Sequence, residues 1–196
     1  MTTPPLPPWA NRPAAGPPAP GSPADQLLAA FVGPRWATYR RKFTPFFEDA
    51  RFTPTWNWAA ALLSPFWFLY RKLYLPFVFF ALAPGLAVSL LFGGELPVRQ
   101  VPSPFPGGGQ VTTLTSDAAL VALGVLVSAA ILAGGTANFL LYRRATAALR
   151  VIGTQAAQPD AAAALLRRVG GTSWQAVGLG MFLMVVLRLL ATVGAR

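Results

Sequence analysis

Six carboxylates, Asp25, Glu48, Asp49, Glu95, Asp117 and Asp160, are the only acidic side chains among 196 residues, and they set a narrow limit on chemistry. Acid–base catalysis needs two groups converging on one substrate, whereas the only adjacent pair, Glu48 and Asp49, points in two directions on a helix. That pair is expected to balance Arg51 and nearby cations. Cys and His are absent, which removes thiolate nucleophiles, imidazole bases, disulfides and the usual zinc, copper and haem ligands at once. A phosphate loop of the GxxxxGK[ST] type and a serine elbow of the GxSxG type are also missing. The sequence therefore predicts no catalytic, cofactor-binding or metal-binding residues, no cofactor, and a protein that is not an enzyme.

The polar residues left to consider sit in or beside apolar runs. Arg71 and Lys72 separate two such runs between Trp56 and Phe92, and two unpaired cations in hydrocarbon would cost several kcal/mol, so residues 70–74 mark a water boundary. Trp56, Trp58, Trp67, Tyr70 and Tyr74 surround that boundary as amphipathic rings suited to the headgroup zone. Trp58, Trp67 and Tyr70 are expected to anchor the segment there, with Arg71 and Lys72 meeting lipid phosphates. Asn138 lies near the end of a long apolar stretch, where it suits a hydrogen bond between helices better than an ion or substrate contact. Arg188 lies fifteen residues past Ser173, about 22 Å along a helix. Its side chain is expected to snorkel to the far boundary, the other reading being a functional charge inside the membrane.

These residues need membrane-spanning helices to position them. Hydrophobic residues make up 54% of the chain and charged residues only 11%, well below the roughly 25% of soluble domains. The expected fold is all-α, a multi-pass membrane protein with about three spans. Residues 1–23 carry nine prolines with Ala, Gly and Ser, a composition that cannot bury a core and predicts a disordered tail; its PPLPP run also suits a polyproline helix. Residues 24–55 form a basic, aromatic region. There Trp36, Tyr39, Phe43 and Phe47 recur at helical spacing, a stripe that lies in the headgroup plane or packs on the protein.

Residues 56–193 form the membrane domain. Its first part, 56–70, is too short for the roughly 20 residues a span requires and is expected to be interfacial or re-entrant. Ser64-Pro65 could instead start a helix that runs on through the cations into the next segment. Spans are predicted at 73–93, 118–142 and 174–193. In the first, Ala81, Gly85, Ser89 and Gly93 repeat every four residues, and in the second Ala130, Gly134 and Asn138 do the same. Both stripes let a neighbouring helix approach closely, with a pore lining as the lesser reading. Residues 95–117 read as a Pro/Gly loop, and 143–172 as a connection of two short helices broken at 155–160.

Charge asymmetry gives the orientation. Seven cations lie between Arg35 and Lys72 and five between Arg143 and Arg168, against Arg99 alone in the 95–117 loop. The excess places the N-terminus and the second connection in the cytoplasm and the C-terminus outside. The net charge of +10 is thus read as an orientation signal that draws anionic lipid headgroups, and not as a nucleic-acid surface.

Several strings resemble a bacterial membrane family catalogued as domain of unknown function 2628. Asn57-Trp58-Ala59-Ala60 and Pro65-Phe66-Trp67-Phe68-Leu69-Tyr70-Arg71-Lys72 are similar to its central signature. Supporting pieces are Phe31-Val32-Gly33 with Tyr39 and Lys42, Ala137-Asn138 with Tyr142, and Gly170-Gly171-Thr172-Ser173. The resemblance implies a small multi-pass inner-membrane protein and implies no reaction. The Pro-rich tail and the 96–109 loop depart from the family's pattern. Two functions remain: a non-catalytic membrane protein that binds partners or organises lipid, and a small transporter or channel subunit. The second would need to oligomerise, because three spans are few for a transporter; a membrane-protein partner or a second copy is expected either way.

Overall fold

The computed structural model describes residues 16–49, 52–106, 108–156 and 158–194. Most of the tail expected to be disordered, residues 1–15, lies outside them. Among the described residues eight helices and one hairpin follow in order, beginning with α1 (Pro23–Val32) and α2 (Trp36–Asp49). Ser22 caps α1, its hydroxyl accepting from the Asp25 amide at 3.3 Å, and Pro23 takes the first turn, where no N–H is needed. Three stretches, Tyr74–Leu91, Ser116–Gly153 and Pro159–Val186, are long and apolar enough to cross a bilayer.

The first of these is α5 (Tyr74–Leu91), ended by a Schellman turn in which Gly94 N–H reaches Ser89 O at 2.8 Å and Gly93 N–H reaches Leu90 O at 3.1 Å. Gly93 adopts φ 67° there, so it terminates the helix and is not part of a packing stripe. The segment read as a loop contains a hairpin. Strand β1 (Val98–Pro102) pairs antiparallel with β2 (Gln110–Leu114), placing Val101 opposite Val111. Valine and threonine favour the extended backbone, Pro102 closes β1 opposite Gln110, and Pro104, Pro106, Gly108 and Gly109 fall between the strands.

The second span is part of α6 (Ser116–Gln155), a single helix of 40 residues. At 1.5 Å per residue it is about 60 Å long, roughly twice the hydrocarbon thickness. The expected short helix after Arg143 is instead its direct continuation, because nothing between Tyr142 and Ile152 breaks a helix. That projecting half carries a cap made of α1, α2 and α7 (Pro159–Val169), while α8 (Trp174–Gly194) supplies the third span. Phe31, Phe43, Phe46, Leu141 and Leu166 are almost wholly buried in a core continuous from the cap into the membrane domain. The aromatic stripe of α2 packs inward: Phe43, Phe46 and Phe47 meet Tyr142 edge-on or tilted at 5.2–5.5 Å between ring centroids. Outside the core, Leu75, Leu82, Leu90, Leu120, Leu126, Leu179 and Phe182 are exposed on the three long helices, a surface a bilayer covers.

Candidate functional site

Between the first cap helices and α5, the chain makes two short helices, α3 (Trp58–Leu63) and α4 (Phe66–Tyr70). Asn57 caps α3, its side-chain oxygen accepting from the Ala60 amide at 3.2 Å. Its Nδ2 donates to Asn138 Oδ1 at 2.9 Å, and its own amide donates to the Gly134 carbonyl at 2.9 Å. Asn138 returns the interaction, donating from Nδ2 to Thr55 O at 3.0 Å and to Thr55 Oγ1 at 3.1 Å. Both side chains are buried, Asn138 completely. Gly134 makes the approach possible: a Cβ there would meet Ala61 and Trp56 carbons at 3.0 Å. Lys42 completes the clamp by donating to the Trp56 carbonyl at 2.9 Å, and burial pushes its ammonium below the ordinary value.

After Ser64 the chain turns at Pro65 and α4 carries it back. No single helix runs from Ser64 into α5. Pro65 offers no side-chain cap, and the chain leaves α4 through Lys72 in the left-handed region at φ 56° before α5 begins. Ala61 lies against Gly134 of α6, eight residues inward from Tyr142. Ser64 and Pro65 lie deeper, beside Leu126 and Ala130. The two helices therefore form a hairpin whose tip lies beside residues 126–130 of α6.

The far end of α4 meets the cap. Arg71 is only 4% exposed, so it does not meet lipid phosphates. Its Nη1 donates to the Val32 carbonyl at 3.0 Å, its guanidinium lies 4.7 Å over the Tyr39 ring, and its Nε is buried without a partner. Lys72 donates to the Arg168 carbonyl at 2.9 Å. The two cations thus cap the C-termini of α1 and α7, where free carbonyls and the negative ends of the helix dipoles replace a carboxylate. Backbone bonds lock the same junction, from Gly171 to Phe31 O and from Ser173 to Tyr70 O at 2.6 and 2.9 Å. Tyr70 packs on Trp174 at 4.9 Å. Trp67 is 4% exposed and belongs to the core; Trp58 is exposed and can reach headgroups.

Strings separated by as much as 140 residues therefore converge on two structures, a buried Asn57–Asn138 clamp and the Arg71 junction. Of the small residues, Ala81, Gly85 and Ala130 line a crevice, while Ser89 accepts the Gly94 amide that closes α5. The side chain of Arg188 lies outside the described residues. Sequence reasoning missed Thr55, Val32 and Gly170 as partners. Val32 contributes a backbone carbonyl, which no residue type advertises, and Thr55 a carbonyl together with its hydroxyl; a Cβ on Gly170 would overlap the Phe31 carbonyl. Asp25 is also engaged internally, accepting from Trp36 Nε1 at 2.9 Å and pairing with Arg40 at 3.3 Å. Among the described residues no cluster of three or more His, Cys, Asp or Glu side chains is placed to hold a metal.

A family model described as a protein of unknown function, DUF2628, matches residues 40–147. That range contains both halves of the clamp and Arg71, and stops before Gly170. No curated protein and no solved structure matches the chain.

Proposed function

The chain belongs to this family of proteins of unknown function, and from that premise we propose a non-catalytic integral protein of the bacterial inner membrane that binds a membrane partner or organises lipid around it. The N-terminus and the cap face the cytoplasm and the C-terminus lies outside, in keeping with the cation counts of the connections. One observation carries the non-catalytic reading: the polar side chains of the signature are spent inside the fold. Asn57 and Asn138 hold each other, Arg71 holds Val32 and Lys72 holds Arg168. What the protein leaves outward is an apolar belt on α5, α6 and α8 and a cap bearing exposed Arg35, Arg41, Arg143, Arg150, Arg167 and Arg168. Those are surfaces for a helix partner and for anionic headgroups; nucleic acid has no part in this reading.

Purification from native membrane in mild detergent, with the mass of the intact particle and identification of what accompanies it, tests the proposal. A reproducible foreign membrane protein is the expected result. A clean homo-oligomer that conducts ions or solutes in vesicles would overturn it in favour of a small oligomeric transporter or channel subunit. The α3–α4 hairpin, read as re-entrant, favours that second reading.

A further inference from the structure

We propose that the tip of the α3–α4 hairpin lies in a water-filled crevice that admits a small monovalent cation. The crevice has a volume of about 240 Å³ and lies between Ala61, Ser64 and Pro65 at the tip, Gly85 of α5, Ala130 of α6 and Met184 of α8. It exists because α8 packs mainly on α4, at Gly180 against Leu69, and only lightly on α5 and α6.

Its polarity follows from the backbone. Pro65 has no N–H, so the Ala61 carbonyl loses the donor four residues on. Ser64 N–H goes back to Ala60 O at 3.0 Å and Phe68 N–H to Pro65 O at 2.9 Å. Among the described residues no backbone donor serves the carbonyls of Ala61, Leu62, Leu63 or Ser64, and of these Ala61 and Ser64 line the crevice. Unwound backbone at membrane depth persists only where protein or water satisfies it, and each carbonyl left bare in hydrocarbon would cost several kcal/mol. A second copy's helix would leave those carbonyls bare, because its N–H groups are spent on its own backbone. An acyl chain would leave the carbonyls unpaired. Water satisfies them, needing only two to four polar partners and far less room. Unpaired carbonyls at the tip, with no acidic or basic side chain among the described residues that line the crevice, favour a cation over an anion, as unwound carbonyls do in membrane transporters.

The absence of native cysteine gives a clean assay. Single cysteines are placed at Ala130 and Ala81 in the crevice and at their neighbours Ile131 and Leu82, which share the depth and face lipid. The full-length protein in vesicles is treated with a cationic and an anionic methanethiosulfonate, each rate normalised to a free thiol. Each unit by which hydrocarbon raises a thiol pKa lowers the reactive thiolate about tenfold, so the crevice positions should react at least about tenfold faster than their neighbours. The cationic reagent should be the faster of the two. Filling the space with Gly85→Leu, where an added Cβ meets nothing within 4 Å, should slow Ala130→Cys to its neighbour's rate without loss of folded protein. Equal rates at crevice and lipid-facing positions, all slow, would show a dry crevice and overturn the proposal while leaving the spans intact. Equal rates, all fast, would overturn the membrane reading with it. A preference for the anionic reagent would overturn the assignment of a cation.

Discussion

Replacing Asn138 by alanine removes the centre of the clamp. The side chain is completely buried and makes its bonds at 2.9–3.1 Å to Asn57 and Thr55. The substitution strands the Asn57 Nδ2 donor and the Thr55 carbonyl in a site with little access to water. A buried donor left without a partner costs about 1–3 kcal/mol, and the void left by the amide adds to it, so the total is roughly 2–4 kcal/mol. For a chain of this size each kcal/mol lowers Tm by about 2–4 °C, giving a fall of roughly 4–16 °C. Asn57→Ala loses the same bond and also the cap on α3, worth about 1 kcal/mol. The assay is thermal unfolding in mild detergent of both single variants and the double variant. Because the two side chains share a bond, the double variant should fall short of the sum by about 1–2 kcal/mol. Additivity within about 0.5 kcal/mol would refute the clamp, since it would mean the two amides act independently.

Glycine positions give a contrast. Gly170→Ala forces a Cβ against the Phe31 backbone carbonyl and should cost about 2 kcal/mol or more, whereas Gly180→Ala presses on the movable end of Leu69, with the Phe77 ring at ordinary contact distance, and should cost under about 1 kcal/mol; unfolding temperatures in the reverse order would contradict the close approach of α1 to α7. Arg71→Lys should destabilise by about 1 kcal/mol, measured the same way, because an ammonium cannot keep the planar contact with Tyr39 together with the bond to Val32; an unchanged protein would mean only charge matters there. Lys42 titrates below its ordinary 10.5 because burial disfavours its charge. The unfolded chain then binds more protons below 10.5, so the penalty is present at neutral pH and fades as pH rises through the lowered value. Compared with Lys42→Met, the natural protein should gain relative stability from neutral pH towards pH 10, and a flat difference between the two would contradict it.

The spans were legible because twenty-residue apolar runs between charges admit few other structures: 73–93 became Tyr74–Leu91, and 174–193 became Trp174–Gly194. Asn138 beside Gly134 also announced itself, since an amide in an apolar helix next to a glycine has few uses other than a contact with a neighbour. The hairpin at 98–114 was hidden by its prolines and glycines, which mark turns and mask the valines between them. The unbroken length of α6 was hidden by Arg143 and Arg144, which signal the end of the membrane and say nothing about the end of the helix. Arg71 illustrates the deeper limit. A cation beside an apolar run reads as a headgroup contact, and only the folded chain brings the carbonyl ends of α1 and α7 close enough for it and Lys72 to turn inward.

The most direct test of a three-span protein with its cap in the cytoplasm uses two single-cysteine variants in intact cells or right-side-out vesicles and a reagent that cannot cross the bilayer. Ser103→Cys, at the hairpin, should be labelled from outside, and Gln155→Cys, at the end of α6, only after permeabilisation; the reverse pattern, or free labelling of both, would contradict the account.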